Sequence, residues 1–193
     1  IYYNKNKYSI VNQGYFLLSG GNYRLDKPNP NTPRMNSKTR YCVYALFQEK
    51  SSGKQFYVFN VHLENLVEQA KIDGAKKLKE QIGIINSKNR PTFVTGDFNS
   101  SETISPDSPY QILKSVNFRD SEELTPKSSR VHANVSSFHG YRGLQYTGEH
   151  IDHIYISPND RIDLKTYEVV TDSPNGVFPT DHLPVLVDAS ITY

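Results

Sequence analysis

The chain has 193 residues, the size of one domain, and reads as a single domain over 1–193. Its 22 Lys+Arg against 20 Asp+Glu leave a net charge of +2, mixed along the chain, so the basic stripe of a dedicated nucleic-acid binder is missing. No apolar run is long enough to form a transmembrane segment, and fourteen tyrosines and nine phenylalanines with no tryptophan favour strands over a helical bundle.

Residues 8–18 (YSIVNQGYFLL) read as one or two strands broken near Gly14, and Ile1-Tyr2-Tyr3 is itself strand-like. The stretch 20–37 holds Pro28, Pro30 and Pro33 among Asn, Asp and Gly, which predicts a surface loop. Strands over 41–49 and 54–62 follow, joined by the hairpin signal Ser51-Ser52-Gly53. The second carries apolar residues on both faces up to Asn60, so it is expected to be buried on both sides. The single cysteine, Cys42, lies in the first of these strands and reads as an inert buried thiol.

A helix is predicted over about 65–87, with Asn65 as its cap and Glu68 completing a capping box. Val67, Ala70, Ala75, Leu78, Ile82 and Ile85 form its apolar face, and the basic residues from Lys71 to Arg90 its solvated one. PTFVTGDF (91–98) reads as a short buried strand ending in a Gly-Asp turn, and 110–116 as a short helix started by Pro109. Residues 117–150 are mixed; strands return at 151–156, 162–171 and 185–191. This irregular alternation predicts sheet layers covered by helices.

Four segments place Asp, Asn or His at or beside predicted strand ends: Asn60-Val61-His62-Leu63, Gly96-Asp97-Phe98-Asn99, Ile151-Asp152-His153-Ile154 and Thr180-Asp181-His182-Leu183-Pro184. Strand ends are where a rigid scaffold holds polar groups at a common rim. Singly each has a plain structural explanation: turn chemistry for Gly-Asp, a hydrogen-bonded histidine for His62, a loop for Asp181-His182. Asp152, between Ile151 and Ile154, needs a partner if it is buried. Strand alternation turns its neighbour His153 to the other face.

In this order N-x-H-L, GDFN, IDHI and TDHLPV resemble the endonuclease/exonuclease/phosphatase, or deoxyribonuclease I-like, superfamily, and the resemblance extends over essentially the whole chain. It implies an α+β fold, the four-layer α/β/β/α sandwich. It also implies hydrolysis of a phosphoester with Mg2+, Mn2+ being possible, by in-line attack of an activated water. In its terms Asp97 orients or deprotonates the water, Asn99 aligns the phosphate or nucleophile, and His182 backed by Asp152 contacts the phosphoryl group or shares in activation. Either Asp97 or the His182–Asp152 pair can be the base. His62 would donate to a phosphate oxygen, with Asn60 supporting its strand end. Asp181 would face the metal, and Arg40 and His139 are secondary substrate-binding candidates. The substrate could be a nucleic acid, a sugar phosphate or a lipid headgroup, and no obligate protein partner is evident.

The resemblance also implies an early metal-binding glutamate and asparagine, and no residue here matches them: Glu49 lies in the wrong strand and Asp26 in the Pro-rich loop. The expectation is a domain without its first strand-helix-strand unit, whose 193 residues alone are weak or inactive. Two other readings compete. A calcineurin-type two-metal phosphoesterase would need a Gly-Asn-His segment, which the sequence lacks. A non-catalytic member would keep the fold for binding, against which stand the intact His62, Asp97, Asn99, Asp152 and His182.

Overall fold

The computed structural model describes residues 1–19, 38–102, 105–158 and 161–192; the Pro-rich loop read at 20–37 lies outside them. In chain order the strands are β1 (Tyr8–Leu17), β2 (Tyr41–Glu49), β3 (Gln55–His62), β4 (Thr92–Asp97), β5 (Arg119–Asp120), β6 (Arg130–Val131), β7 (Asp152–Ile156), β8 (Ile162–Val169) and β9 (Val185–Ile191). The helices are α1 (Glu68–Ile85), α2 (Pro109–Lys114) and α3 (Ser121–Leu124).

Strands β1, β2 and β3 form an antiparallel meander. The chain then crosses over through α1 to β4, which runs parallel to β3, as a parallel pair requires. β7 returns antiparallel to β4, and the order across this six-stranded sheet is β1-β2-β3-β4-β7-β5. A three-stranded sheet has the order β6-β8-β9.

The core has two parts. Phe59, Val61, Val94 and Tyr155 of the larger sheet pack against Ala75, Leu78 and Ile82 of α1 and Ile112 and Leu113 of α2. Val135, Tyr167, Val169 and Leu183 form a second cluster on the smaller sheet. The larger sheet's other face meets the smaller sheet across a cavity of about 330 Å³, with Phe56, Val58, Phe93 and Ile154 on one side and Val187, Ala189 and Ile191 on the other. The layers therefore run helices, six-stranded sheet, three-stranded sheet among the described residues, which is the α/β/β part of the expected α/β/β/α sandwich, with α1 on an outer face as expected.

Several local expectations change. Residues 1–3 lie outside any strand, and Tyr3 packs its ring against Phe47 instead. β1 is continuous through Gly14; its irregularity is a bulge between Ile10 and Asn12. In β3 only Tyr57, Phe59 and Val61 are fully buried, because the opposite face looks into the intersheet cavity. The capping box does not form: Val67 is the α1 N-cap without a side-chain bond, and Glu68 pairs with Lys71. Asn65 instead accepts a hydrogen bond from the Arg40 guanidinium at 3.4 Å. Gly74 lets the helix approach Leu63 and Leu18, where an added Cβ would lie 3.3 Å from the Leu63 side chain. Cys42 is fully buried in β2, and burial pushes its thiol up to about 12.

Candidate active site

Register alone puts three of the expected residues in one row. His62 is paired with Asp97 across β3 and β4, and Asp97 with Asp152 across β4 and β7. Paired residues share a face, so all three side chains emerge on the side facing the smaller sheet, at one end of the strands. His62 Nε2 lies 3.3 Å from Asp97 Oδ2. One step back along the strands, Thr95 donates its hydroxyl to Asn60 Oδ1 at 3.0 Å, so Asn60 braces the end that carries His62.

Gly96 makes this row possible. Its φ of +135° suits glycine alone, and a Cβ there would sit 1.9 Å from the Val61 carbonyl oxygen. The turn that follows holds itself in place: Asn99 N–H donates to Asp97 Oδ1 at 2.7 Å, and Asn99 Nδ2 donates to the Leu63 carbonyl at 2.9 Å. One hydrogen of the Asn99 amide group is thus spent on the scaffold.

His182 arrives from a different part of the chain. Its Nδ1 donates to Asp152 Oδ2 at 2.8 Å, the pairing expected from the sequence, and its Nε2 stands 3.9 Å from Asp97 Oδ2. The segment bearing it is stitched to residues 137–140. Leu183 N–H donates to the Ser137 carbonyl at 2.7 Å, Phe138 and His182 form a bridge, and His139 and Gly140 N–H both donate to the Asp181 carbonyl. The Phe138 ring rests 4.9 Å from that of His182.

Alternation along this bridge corrects one expectation. Phe138 faces outward, whereas His139 is 0% exposed, packed on Phe178 with Nε2 donating to the Thr180 carbonyl. His139 cannot touch a substrate; it holds the segment that presents His182.

Arg40, just before β2, reaches the site, and its positive charge helps to lower the His62 pKa. Burial is the largest cause of that lowering, and the nearby Asp97 only partly opposes it. The His182 pKa moves the other way: burial would lower it, but the bond to Asp152 and the surrounding carboxylates raise it overall. Burial raises Asp152, against the opposing influence of His182.

Three supporting residues escaped the sequence reading. Glu64, 1% exposed, accepts N–H bonds from Lys38, Asn65 and Leu66, and its carboxylate lies 3.6 Å from Arg40 Nε. Its position directly after His62-Leu63 was the available signal. Ser137 Oγ accepts the N–H groups of Ile151 and Asp152 at 3.0 and 3.2 Å. Asp120 holds His153 at 2.6 Å on the far face of β7. Nothing local in the sequence pointed to the last two.

Asp97, Asp152 and His182 can together coordinate a divalent metal ion, one ligand atom from each lying within 4.8 Å of the others. Two carboxylates suit a hard cation, and the imidazole adds a nitrogen donor. Asp181, expected to face the metal, is not in this cluster; among the described residues its carbonyl serves the 137–140 bridge and its carboxylate accepts from Thr180 Oγ1 at 3.4 Å.

No protein-family model and no curated protein matches the chain. Solved structures do. A mannosyl-6-phosphatase of Bacteroides thetaiotaomicron VPI-5482 is 28% identical with a TM-score of 0.79, over 98% of this chain and 69% of its own. An endonuclease/exonuclease/phosphatase family protein of the same species is 27% identical with a TM-score of 0.78, over 98% of this chain and 68% of its own. The human Nocturnin catalytic domain, at 19% identity and a TM-score of 0.67 over 97% of this chain and 62% of its own, shares the fold.

Fold and site together define a metal-dependent hydrolase of phosphoester bonds, built on the deoxyribonuclease I-like four-layer sandwich. The chain's similarity in sequence and structure is to proteins of the endonuclease/exonuclease/phosphatase family. Among the described residues no helix is long and apolar enough to cross a membrane.

Proposed function

We propose that residues 1–193 form one domain and supply the row His62–Asp97–Asp152, completed by His182, to the hydrolysis of a phosphoester with magnesium, manganese being an alternative. The observation that carries this reading is the Asp97 carboxylate, set 3.3 Å from His62 Nε2 and 3.9 Å from His182 Nε2, with Asp152 behind the second ring at 2.8 Å. Asp97 and Asp152 would hold the ion and leave His182 Nε2 free, with Asp181 adding negative charge beside His182. Bound there, a divalent cation would supply positive charge to neutralise the phosphoryl oxygens and polarise the ester.

The chain's own groups divide the remaining work. Asp97 orients the attacking water or takes its proton. The bond to Asp152 fixes the proton of His182 on Nδ1 and points Nε2 at the site, where it accepts a proton or, when protonated, donates to a phosphoryl oxygen. His62, kept largely neutral by its lowered pKa, donates one N–H to another oxygen. Asn99 aligns the phosphate through its remaining amide hydrogen, and Arg40 offsets the phosphate's charge in competition with Glu64. The similarity to a mannosyl-6-phosphatase makes a phosphorylated sugar the first substrate class to assay.

The test is hydrolysis by the metal-stripped full-length protein, read as free phosphate from a sugar phosphate and an inositol phosphate and as cleavage products from an oligonucleotide and a phospholipid. Activity should return with Mg2+ or Mn2+ and vanish in His182→Ala. Failure to hydrolyse any of them with either ion would reject this reading in favour of a binding domain.

A further inference from the structure

One strand serves the site from both faces. Asp152 points from β7 toward the intersheet side, and His153, next in sequence, points back into the helix-side core, where it is 3% exposed. There its ring has two partners: Nδ1 meets Asp120 Oδ2 at 2.6 Å, and Nε2 meets the Ser100 carbonyl at 3.0 Å.

Ser100 ends the turn that carries Asp97 and Asn99. The entry to that turn is tied by Leu63 N–H to the Asp97 carbonyl at 2.9 Å and by Phe98 N–H to the Ile151 carbonyl at 2.8 Å. Its middle is strained: Asn99 has φ of 47°, a left-handed conformation that a non-glycine residue keeps only when its surroundings hold it. His153 ties the exit. The Phe98 ring locks the same region from below, edge-on to His153 at 5.7 Å and to Tyr155 at 4.9 Å. Asp120 anchors the far end of the chain of contacts, because its other oxygen, Oδ1, accepts Glu122 N–H at 2.8 Å to cap α3.

We infer that His153, held by Asp120, is a positioning residue for the hydrolysis: its Nε2 fixes the Ser100 carbonyl and through it the placement of Asp97 and Asn99. This rests on the proposed roles of those two residues. A misplacement of about 1 Å at reacting groups costs on the order of 100-fold in rate, so a clamp on this turn acts on turnover even though it never meets the substrate.

The alternative is an ordinary core ion pair that supports folding and nothing else. Two substitutions separate them. In His153→Gln the side-chain amide replaces Nε2 and keeps the donor to Ser100; in His153→Asn it replaces Nδ1 and keeps the donor to Asp120. Both lose one bond and the ring's bulk, so both should lose stability to a similar degree. Positioning predicts that the Gln variant keeps kcat within about threefold while the Asn variant loses about 10- to 100-fold, with KM little changed. If either fails to fold, Asp120 gives the same contrast. Asp120→Asn keeps the α3 cap and can donate to Nδ1, holding the ring in place, and should retain kcat; Asp120→Leu frees the ring and should reproduce the loss. Equal kcat losses in a pair, or none in either, would overturn the inference. Amide hydrogen exchange over 97–101 decides the matter without catalysis: exchange about tenfold faster in the Asn variant alone supports the clamp, and equal rates refute it. A wild-type protein that hydrolyses nothing would reject the proposed function, and the exchange contrast would still decide the clamp.

Discussion

Asp152→Asn is the perturbation that most directly tests the site's chemistry. The two side chains have the same shape, so packing around β7 changes little. The 2.8 Å bond to His182 Nδ1 does change. The Ser137 hydroxyl also donates to this carboxylate. In the variant the single carbonyl oxygen satisfies that hydroxyl, and the amide group turns toward His182. Nδ1 must then accept, the ring proton moves to Nε2, and the nitrogen nearest Asp97 can no longer take a proton. Where an Asp-His pair fixes the tautomer of a general base, the same change costs on the order of 10⁴ in kcat. If His182 is only a donor to the phosphate, the loss reduces to one charge-assisted bond, about 1.5–3 kcal/mol or roughly 10- to 150-fold. The magnitude therefore separates the two roles that the sequence left open. The assay is steady-state kinetics at saturating metal, with thermal unfolding run in parallel. Saturating metal matters because Asp152 is also a candidate ligand: a loss that disappears as the ion is raised belongs to metal binding. Wild-type kcat in a folded Asp152→Asn protein would remove the pair from the mechanism.

Gly96→Ala should destabilise the protein by about 4 kcal/mol or more, because the new Cβ meets the Val61 carbonyl at 1.9 Å in a backbone conformation only glycine accepts; an unchanged melting temperature would refute this. Glu64→Gln should cost about 3–5 kcal/mol at neutral pH, since an amide group in place of Oε2 sets its hydrogens against the Lys38 N–H and removes the buried charge that faces Arg40 Nε. Burial would raise the Glu64 pKa, but the Leu66 and Lys38 N–H groups, Arg40 and the Asn65 N–H group together hold it below the usual carboxylate value. Its contribution is therefore complete above the unfolded-state pKa, about 4.3, and is lost as pH falls through the lower folded value. The stability gap between wild type and Glu64→Gln, followed by urea unfolding, should narrow only below about pH 4.3, and a gap that narrows on the alkaline side would contradict it. His139→Ala should lower both stability and kcat while KM stays within about threefold, because the ring frames His182 and is closed to substrate; a rise in KM alone would restore the discarded role.

Much of the site was legible because it is written at strand ends. The hydrophobic runs that make β3, β4 and β7 stop at His62, Asp97 and Asp152, and a polar residue that ends an apolar strand stands at the sheet's rim wherever the strand is placed. Gly96 was equally readable as a turn, although its reason, the approach of the Val61 carbonyl, was not. The cost of burying a carboxylate without a donor said only that Asp152 needs a partner, and the resemblance of the motifs named His182 as that partner.

What the sequence could not supply is whatever depends on two distant segments meeting. Tertiary pairing of residues 137–140 with 180–183 decided that His139 points inward and Phe138 outward, against the expectation of His139 as a substrate contact. The same pairing assigned the Asp181 carbonyl to its neighbours. The failed capping box has a similar origin: Asn65 and Glu68 match the pattern, but Arg40 and Lys71 compete for their side chains, and Glu64 organises the approach to α1. Asp120 and Glu64 are carboxylates whose value is set by partners 33 and 24 residues away, His153 and Arg40, and no local periodicity encodes such distances. Local spacing thus determined which residues could carry the chemistry. The packing of the two sheets decided which of them stand at the open rim and which hold the others still.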